Sequence, residues 1–155
     1  MGESLTVVVL AAGEGKRFRS ALPKPLHPVA GRPLLWHVLA AAAPLKADRT
    51  VVVVGNGADQ VTEAVDGFDL GPVSFAVQAA QRGAGDALAT AVPLLEGDGD
   101  VLVLSGDTPL VSAELLEGLL EAHRSARATA TLLTCTLADP TGYGRVLRGD
   151  RKSVV

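Results

Sequence analysis

Apolar positions along this chain fall into short dense runs, separated by longer stretches in which they recur at helical spacing. Leu5–Leu10 (LTVVVL), Thr50–Val54 (TVVVV), Val73–Val77 (VSFAV) and Val101–Leu104 (VLVL) are the dense runs, and Thr129–Leu137 (TATLLTCTL) is a longer, alternating fifth. Runs of this length, bounded by turn residues, predict strands covered on both faces. Leu34–Ala43 predicts a helix, with Pro33 suited to its first turn. Ala58–Val65 predicts a second helix, and Gly85–Leu95 a third that Pro93 ends or kinks. Ser112–Ser125 predicts a fourth: Ser112 is its N-cap, Glu114 faces the dipole in the first turn, and Leu115, Leu116, Leu119 and Leu120 form its apolar stripe.

Strands and helices therefore alternate. That order predicts an α/β fold with a mainly parallel central sheet and helices on both faces, a Rossmann-like three-layer α/β/α arrangement. Ligands in such sheets sit beyond the carboxyl ends of the strands, where strand order reverses. The informative loops are those after Leu10, Val54, Val77 and Leu104. With no internal repeat and no linker, residues 1–155 read as one domain. Its last residues, Lys152-Ser153-Val154-Val155, read as a strand cut short.

Composition narrows the function classes. Of 155 residues, 48% are apolar and mean hydropathy is +0.31, which excludes a disordered chain. Lys plus Arg is 14 against 17 for Asp plus Glu, a formal net charge of −3 that argues against a nucleic-acid partner. A single cysteine, Cys135, makes no internal disulfide and fits a reducing compartment; within the fifth run it is expected to be buried. No apolar run approaches the ~18 residues of a membrane helix, and the acidic start lacks a leader's basic residues. The expectation is a cytoplasmic protein with no membrane partner. Trp36 is expected in the core, and His27, His37 and His123 are too scattered to form a metal site.

The loop after the first strand carries the chemistry. Leu10-Ala11-Ala12-Gly13-Glu14-Gly15-Lys16-Arg17-Phe18-Arg19-Ser20 combines small residues, which let a ligand approach the backbone, with three cationic side chains. Pro23-Lys24-Pro25 follows, and two prolines predict a stiff, extended setting for Lys24. The P-loop pattern is absent, and the dinucleotide pattern fails because Phe18 stands at its third glycine. Taken alone, the loop fits either a phosphate site or an ordinary glycine-rich turn.

Leu10-Ala11-Ala12-Gly13-x-Gly15-x-Arg17 followed by Pro23-Lys24 resembles the signature of the sugar-nucleotidyltransferase superfamily. Leu26-His27-x-x-Ala30-Gly31-x-Pro33-Leu34 and His37-Val38 are similar to the N-acetylglucosamine-1-phosphate uridyltransferases, the pyrophosphorylase halves of bifunctional bacterial enzymes. Gln78-Ala79-x-Gln81-x-Gly83-x-Gly85 resembles that family's uracil-binding stretch, Gly106-Asp107-Thr108-Pro109-Leu110 its metal-binding turn, and Asp139-Pro140-Thr141-Gly142-Tyr143-Gly144-Arg145 its sugar-binding loop. The order matches along nearly the whole chain.

The resemblance implies a nucleotidyltransferase fold of the GT-A-like kind and transfer of UMP from UTP to N-acetylglucosamine 1-phosphate. It implies Arg17 and Lys24 as catalytic residues on the phosphates, and Asp107 as a ligand of Mg2+. Nucleotide and sugar contacts would come from Leu10, Ala11, Ala12, Gly13, Lys24, Gln78, Gly83, Ala84, Ser105, Gly106 and Gly144. The family's second metal ligand, its remaining sugar contacts and a trimerising acetyltransferase half would lie beyond residue 155, so a truncated domain of low turnover is expected. Four positions depart from the family: Lys16 and Ala84 each stand for a Thr, Ser105 for a frequent Tyr and Asp86 for a frequent His. The last three bear on base selectivity and sugar fit. The competing readings are another sugar-phosphate nucleotidyltransferase or a cytidylyltransferase, a catalytically poor nucleotide-binding module, and a plain α/β scaffold.

Overall fold

The computed structural model describes residues 4–13, 15, 20–95 and 97–146. They fall into two compact units, residues 1–117 and 118–155. The first unit holds strand β1 (Leu5–Leu10), a 3-10 turn (Lys24–Leu26), a hairpin of β2 (Pro28–Val29) and β3 (Arg32–Pro33), and helix α1 (Leu34–Ala42). It continues with β4 (Arg49–Val54), α2 (Ala58–Asp66), β5 (Ser74–Val77), α3 (Ala84–Ala91) and β6 (Asp100–Ser105). Helix α4 (Ala113–Ala126) begins in this unit and ends in the second.

The four dense apolar runs of the first unit form one parallel sheet in the order β5-β4-β1-β6. Its middle is Val-rich: Val7, Val8, Val9, Val51, Val52 and Val53 are wholly buried, as expected of strands covered on both faces. On one face Val8, Val51, Val53 and Ala76 pack against Ala87 and Ala91 of α3. Right-handed crossovers place α1 and α2 on the opposite face, because β1, β4 and β5 advance in one direction and the chain then doubles back to β6. Strand order reverses at β1, so the crevice lies between the carboxyl ends of β1 and β6.

Sheet hydrogen bonding runs one step past the strands. The amide of Ala11 donates to Val53 O at 2.8 Å, that of Gln78 to Val54 O at 2.8 Å, and that of Gly106 to Leu10 O at 2.9 Å. At the other end Asp48 pins β1, accepting from the Leu5 amide through Oδ2 at 2.9 Å.

Several expectations are corrected. Ala30 and Gly31 (φ 49° and 80°) close the β2-β3 hairpin, which the apolar pattern does not announce. Lys24 opens a 3-10 turn rather than lying extended, because the Leu26 amide donates to Pro23 O at 2.9 Å and the His27 amide to Lys24 O at 3.2 Å. Trp36 is half-buried, not core: the Arg32 guanidinium lies 5.0 Å from its ring centre. His37 Nε2 is 2.8 Å from Val29 O, so the imidazole ties α1 to the hairpin. Helix α3 stops at Ala91 and passes into a 3-10 turn at Val92–Leu94 that contains Pro93, as expected of that proline.

In the second unit residues 129–137 form no strand, and Leu132, Leu133 and Leu137 are exposed. An alternating strand is held by a paired backbone and a buried face, and neither is found for this segment. Cys135 is accordingly exposed.

Candidate active site

The crevice at the reversal of strand order is a cavity of about 250 Å3. Leu10, Ala11, Ala12 and Gly13 line it from the end of β1, and Ser105, Gly106 and Asp107 from the end of β6. Lys24 and Pro25 enter from the 3-10 turn, Gln78, Gln81 and Gly83 from the segment joining β5 to α3, and Ala84 from the start of α3. The structure thus brings together the expected nucleotide-contacting residues of the first unit. Arg17, with Lys16 and Arg19, lies outside the described residues. Gly144 belongs to the second unit, where it is exposed beside Tyr143 and Arg145, whose guanidinium donates to Pro140 O at 2.7 Å.

Lys24 is set by packing on its stem. Pro25 and Leu26 are buried beneath it. A Cβ on Gly57, at the start of α2, would come within 2.6 Å of Pro23 Cγ, so that glycine lets the helix end close on the segment. Gly15 (φ +59°) lies so near that a Cβ there would be 3.0 Å from Lys24 Cβ. The ammonium donates to Oδ2 of Asp107, closing an ion pair across 83 residues of sequence. Both side chains stay partly exposed, 29% for Lys24 and 33% for Asp107.

The turn after β6 shapes Asp107. Ser105 Oγ donates to Asp107 Oδ1 at 2.7 Å, and Thr108 Oγ1 donates to Ser105 O at 2.8 Å. Partial burial pushes the Asp107 carboxyl up. The hydrogen bonds from Lys24 and Ser105 and the Lys24 charge more than offset that push, and the group lies below the ordinary aspartate range. It is therefore a carboxylate at neutral pH, with two hard oxygen atoms at the crevice.

Gln78 is 6% exposed, and its Nε2 donates to Asp86 Oδ2 at 2.7 Å and, more weakly, to Gly83 O at 3.5 Å. Two residues that the sequence reading names without a site role of their own act here. Gln81 Nε2 donates to Ala12 O at 2.6 Å, strapping the β5-α3 segment to the end of β1. In sequence it stands only as one position of the stretch that resembles the uracil-binding one. Asp86 stands out in sequence only as a departure from a family, yet it is the partner of Gln78. Among the described residues no buried side-chain nitrogen or oxygen lacks a partner, and no cluster of three or more His, Cys, Asp or Glu side chains could enclose a metal.

The site thus offers a cation, a carboxylate, close backbone and a buried amide at one sheet edge. Such a set suits an anionic ligand carrying a hydrogen-bonding ring. The bifunctional protein GlmU of Burkholderia multivorans is 56% identical over 144 residues, covering 93% of this chain and 31% of that protein. The chain therefore spans about a third of that relative's length. A nucleotidyl transferase from Methanothermobacter thermautotroptrophicus has a similar structure (TM-score 0.68, 28% identity, 77% of this chain and 58% of that one). The 4-diphosphocytidyl-2C-methyl-D-erythritol synthase from Anaerococcus prevotii shares the fold (TM-score 0.67, 19% identity, 98% of this chain and 63% of that one). The profile of the MobA-like NTP transferase domain matches residues 7–149, and the chain belongs to that family.

Proposed function

We propose that this chain carries the nucleotide site of a sugar-1-phosphate uridylyltransferase, which moves UMP from UTP to N-acetylglucosamine 1-phosphate and releases pyrophosphate. The observation that carries this reading is the meeting of Lys24, Asp107 and Gln78 in one crevice at the reversal of strand order. The identity to GlmU supports the choice of substrates.

In this reaction an oxygen of the sugar phosphate bonds to the α-phosphorus, and the bond from that phosphorus to the bridging oxygen of pyrophosphate breaks. The attacking oxygen is already ionised, so no general base is required. The obstacle is the approach of two anions in line, which positioning and charge neutralisation overcome. Lys24 neutralises phosphate charge from a buttressed stem. The amides at the end of β1 and the small residues around them let the nucleotide lie close to the backbone. Gln78 faces the base, and by resemblance Arg17 holds the triphosphate and the leaving pyrophosphate.

Asp107 fits one part of a magnesium site, since that ion takes one or two carboxylates when phosphates and waters fill its other positions. When bound there, Mg2+ would polarise the α-phosphate and screen its charge.

Calorimetric titration with UTP, CTP, dTTP and ATP in Mg2+ buffer tests the site, and pyrophosphate release on adding N-acetylglucosamine 1-phosphate tests the reaction. UTP is expected to bind, and addition of the sugar phosphate is expected to release pyrophosphate. Absence of UTP binding, or a clear preference for ATP or CTP, overturns the reading.

A further inference from the structure

The amide of Gln78 is held by two groups that only accept hydrogen bonds. The Asp86 carboxylate lies 2.7 Å from Nε2, and the carbonyl oxygen of Gly83 lies 3.5 Å from it. A carboxylate and a backbone carbonyl offer no proton, so the amide cannot be turned over without setting oxygen against oxygen. Among the described residues no hydrogen bond reaches Gln78 Oε1, yet no buried oxygen is left without a partner. Oε1 is therefore reached by solvent, on a side chain that lines the cavity.

We infer that Asp86 is a positioning residue for base selection: it locks Gln78 so that only an acceptor, Oε1, is presented to the base. The inference rests on the reading that the base of a nucleotide sits against Gln78. Asp86 lies in the first turn of α3, where the helix dipole favours negative charge, and the turn fixes its distance from Gln78. A fixed acceptor opposite ring nitrogen N3 attracts the N3–H of uracil or thymine. The same acceptor repels cytosine, whose N3 carries a lone pair. A glutamine free to rotate would offer its NH2 to cytosine instead, so the selectivity lies in Asp86 rather than in Gln78 alone. Thymine shares the imide edge of uracil, so Asp86 separates both from cytosine without separating them from each other.

The test compares wild type, Asp86→Ala and the isosteric Asp86→Asn by titration with UTP, dTTP, CTP and inorganic pyrophosphate, all with Mg2+. Circular dichroism verifies that each variant is folded. An asparagine side chain either donates or accepts, so it no longer dictates the orientation of Gln78. Wild type is expected to favour UTP and dTTP over CTP. In both variants that preference should shrink by about 10-fold or more, because polar mismatch in a closed site discriminates strongly. Pyrophosphate affinity should be unchanged. An undiminished preference in either folded variant overturns the inference, and so does an equal loss of affinity for all four ligands. Wild-type binding of the triphosphates without preference overturns it too, while leaving the phosphate site in place. A wild type that binds none of them overturns the proposed function itself.

Discussion

Lys24 and Asp107 meet although 83 residues separate them, and each decides how the other behaves. The pair is half-open to water, so its own worth to stability is small, of the order of 0–1 kcal/mol. Its worth to binding is larger. A hydrogen bond to a charged group contributes about 1.5–3 kcal/mol, so Lys24→Ala should weaken UTP binding at least ~10-fold in calorimetry. The carboxyl of Asp107 releases its proton more readily in the folded chain than in the unfolded one. Its contribution is therefore complete above the range in which a free aspartate titrates, about 3.9, and is lost as pH falls through the lower folded value. The difference in melting temperature between wild type and Asp107→Asn should be constant from pH 7 to about pH 5, then narrow in more acid buffer. Lys24, Asp107 and Gln78 were legible in sequence, because their motifs bring neighbours of fixed type at fixed spacing. The strap from Gln81 to Ala12 and the bond from Asp86 to Gln78 were not: each depends on where a loop folds back, which no local spacing records.

Helix α4 shows what local rules specify and where they fail. Ser112 caps it as expected: its Oγ accepts from the Leu115 amide at 3.3 Å, and its carbonyl from the Leu116 amide at 3.2 Å. The other end is closed by Arg127 in the left-handed region (φ 47°), with the Arg127 amide on Arg124 O and the Ala128 amide on His123 O. Those two bonds form the terminating motif that glycine usually completes. Ser112→Ala should cost ~1 kcal/mol, and Arg127→Gly should return about 1 kcal/mol by relieving the strained φ, both read from urea denaturation midpoints. The β2-β3 hairpin lay beyond sequence reading because two-residue strands have no period to detect. The segment 129–137 fails for the converse reason. It has the alternating period, but within its own unit it has no paired backbone to complete it.

Across the molecule, apolar runs and their order were enough to fix the class of fold in the first unit, and the predicted strands and helices lie within a residue or two of those observed, except that the helix read over Gly85–Leu95 ends at Ala91 and continues only as a 3-10 turn. The crevice was legible for the same reason, since a parallel sheet whose order reverses leaves one opening by geometry alone. The spatial order β5-β4-β1-β6 was not, because it depends on long-range pairing that each run satisfies equally well in isolation. The amides of Ala11, Gln78 and Gly106 continue the ladder of the sheet beyond its strands. The floor on which a nucleotide would rest is thus the last rung of the core, not an appended loop. Opening those three amides to solvent should require the disruption of the sheet itself, so in deuterium exchange they should be protected nearly as long as Val8 and Val52. A ligand arriving there would find its seat already ordered, and its grip would not be diluted by the entropy of assembling one.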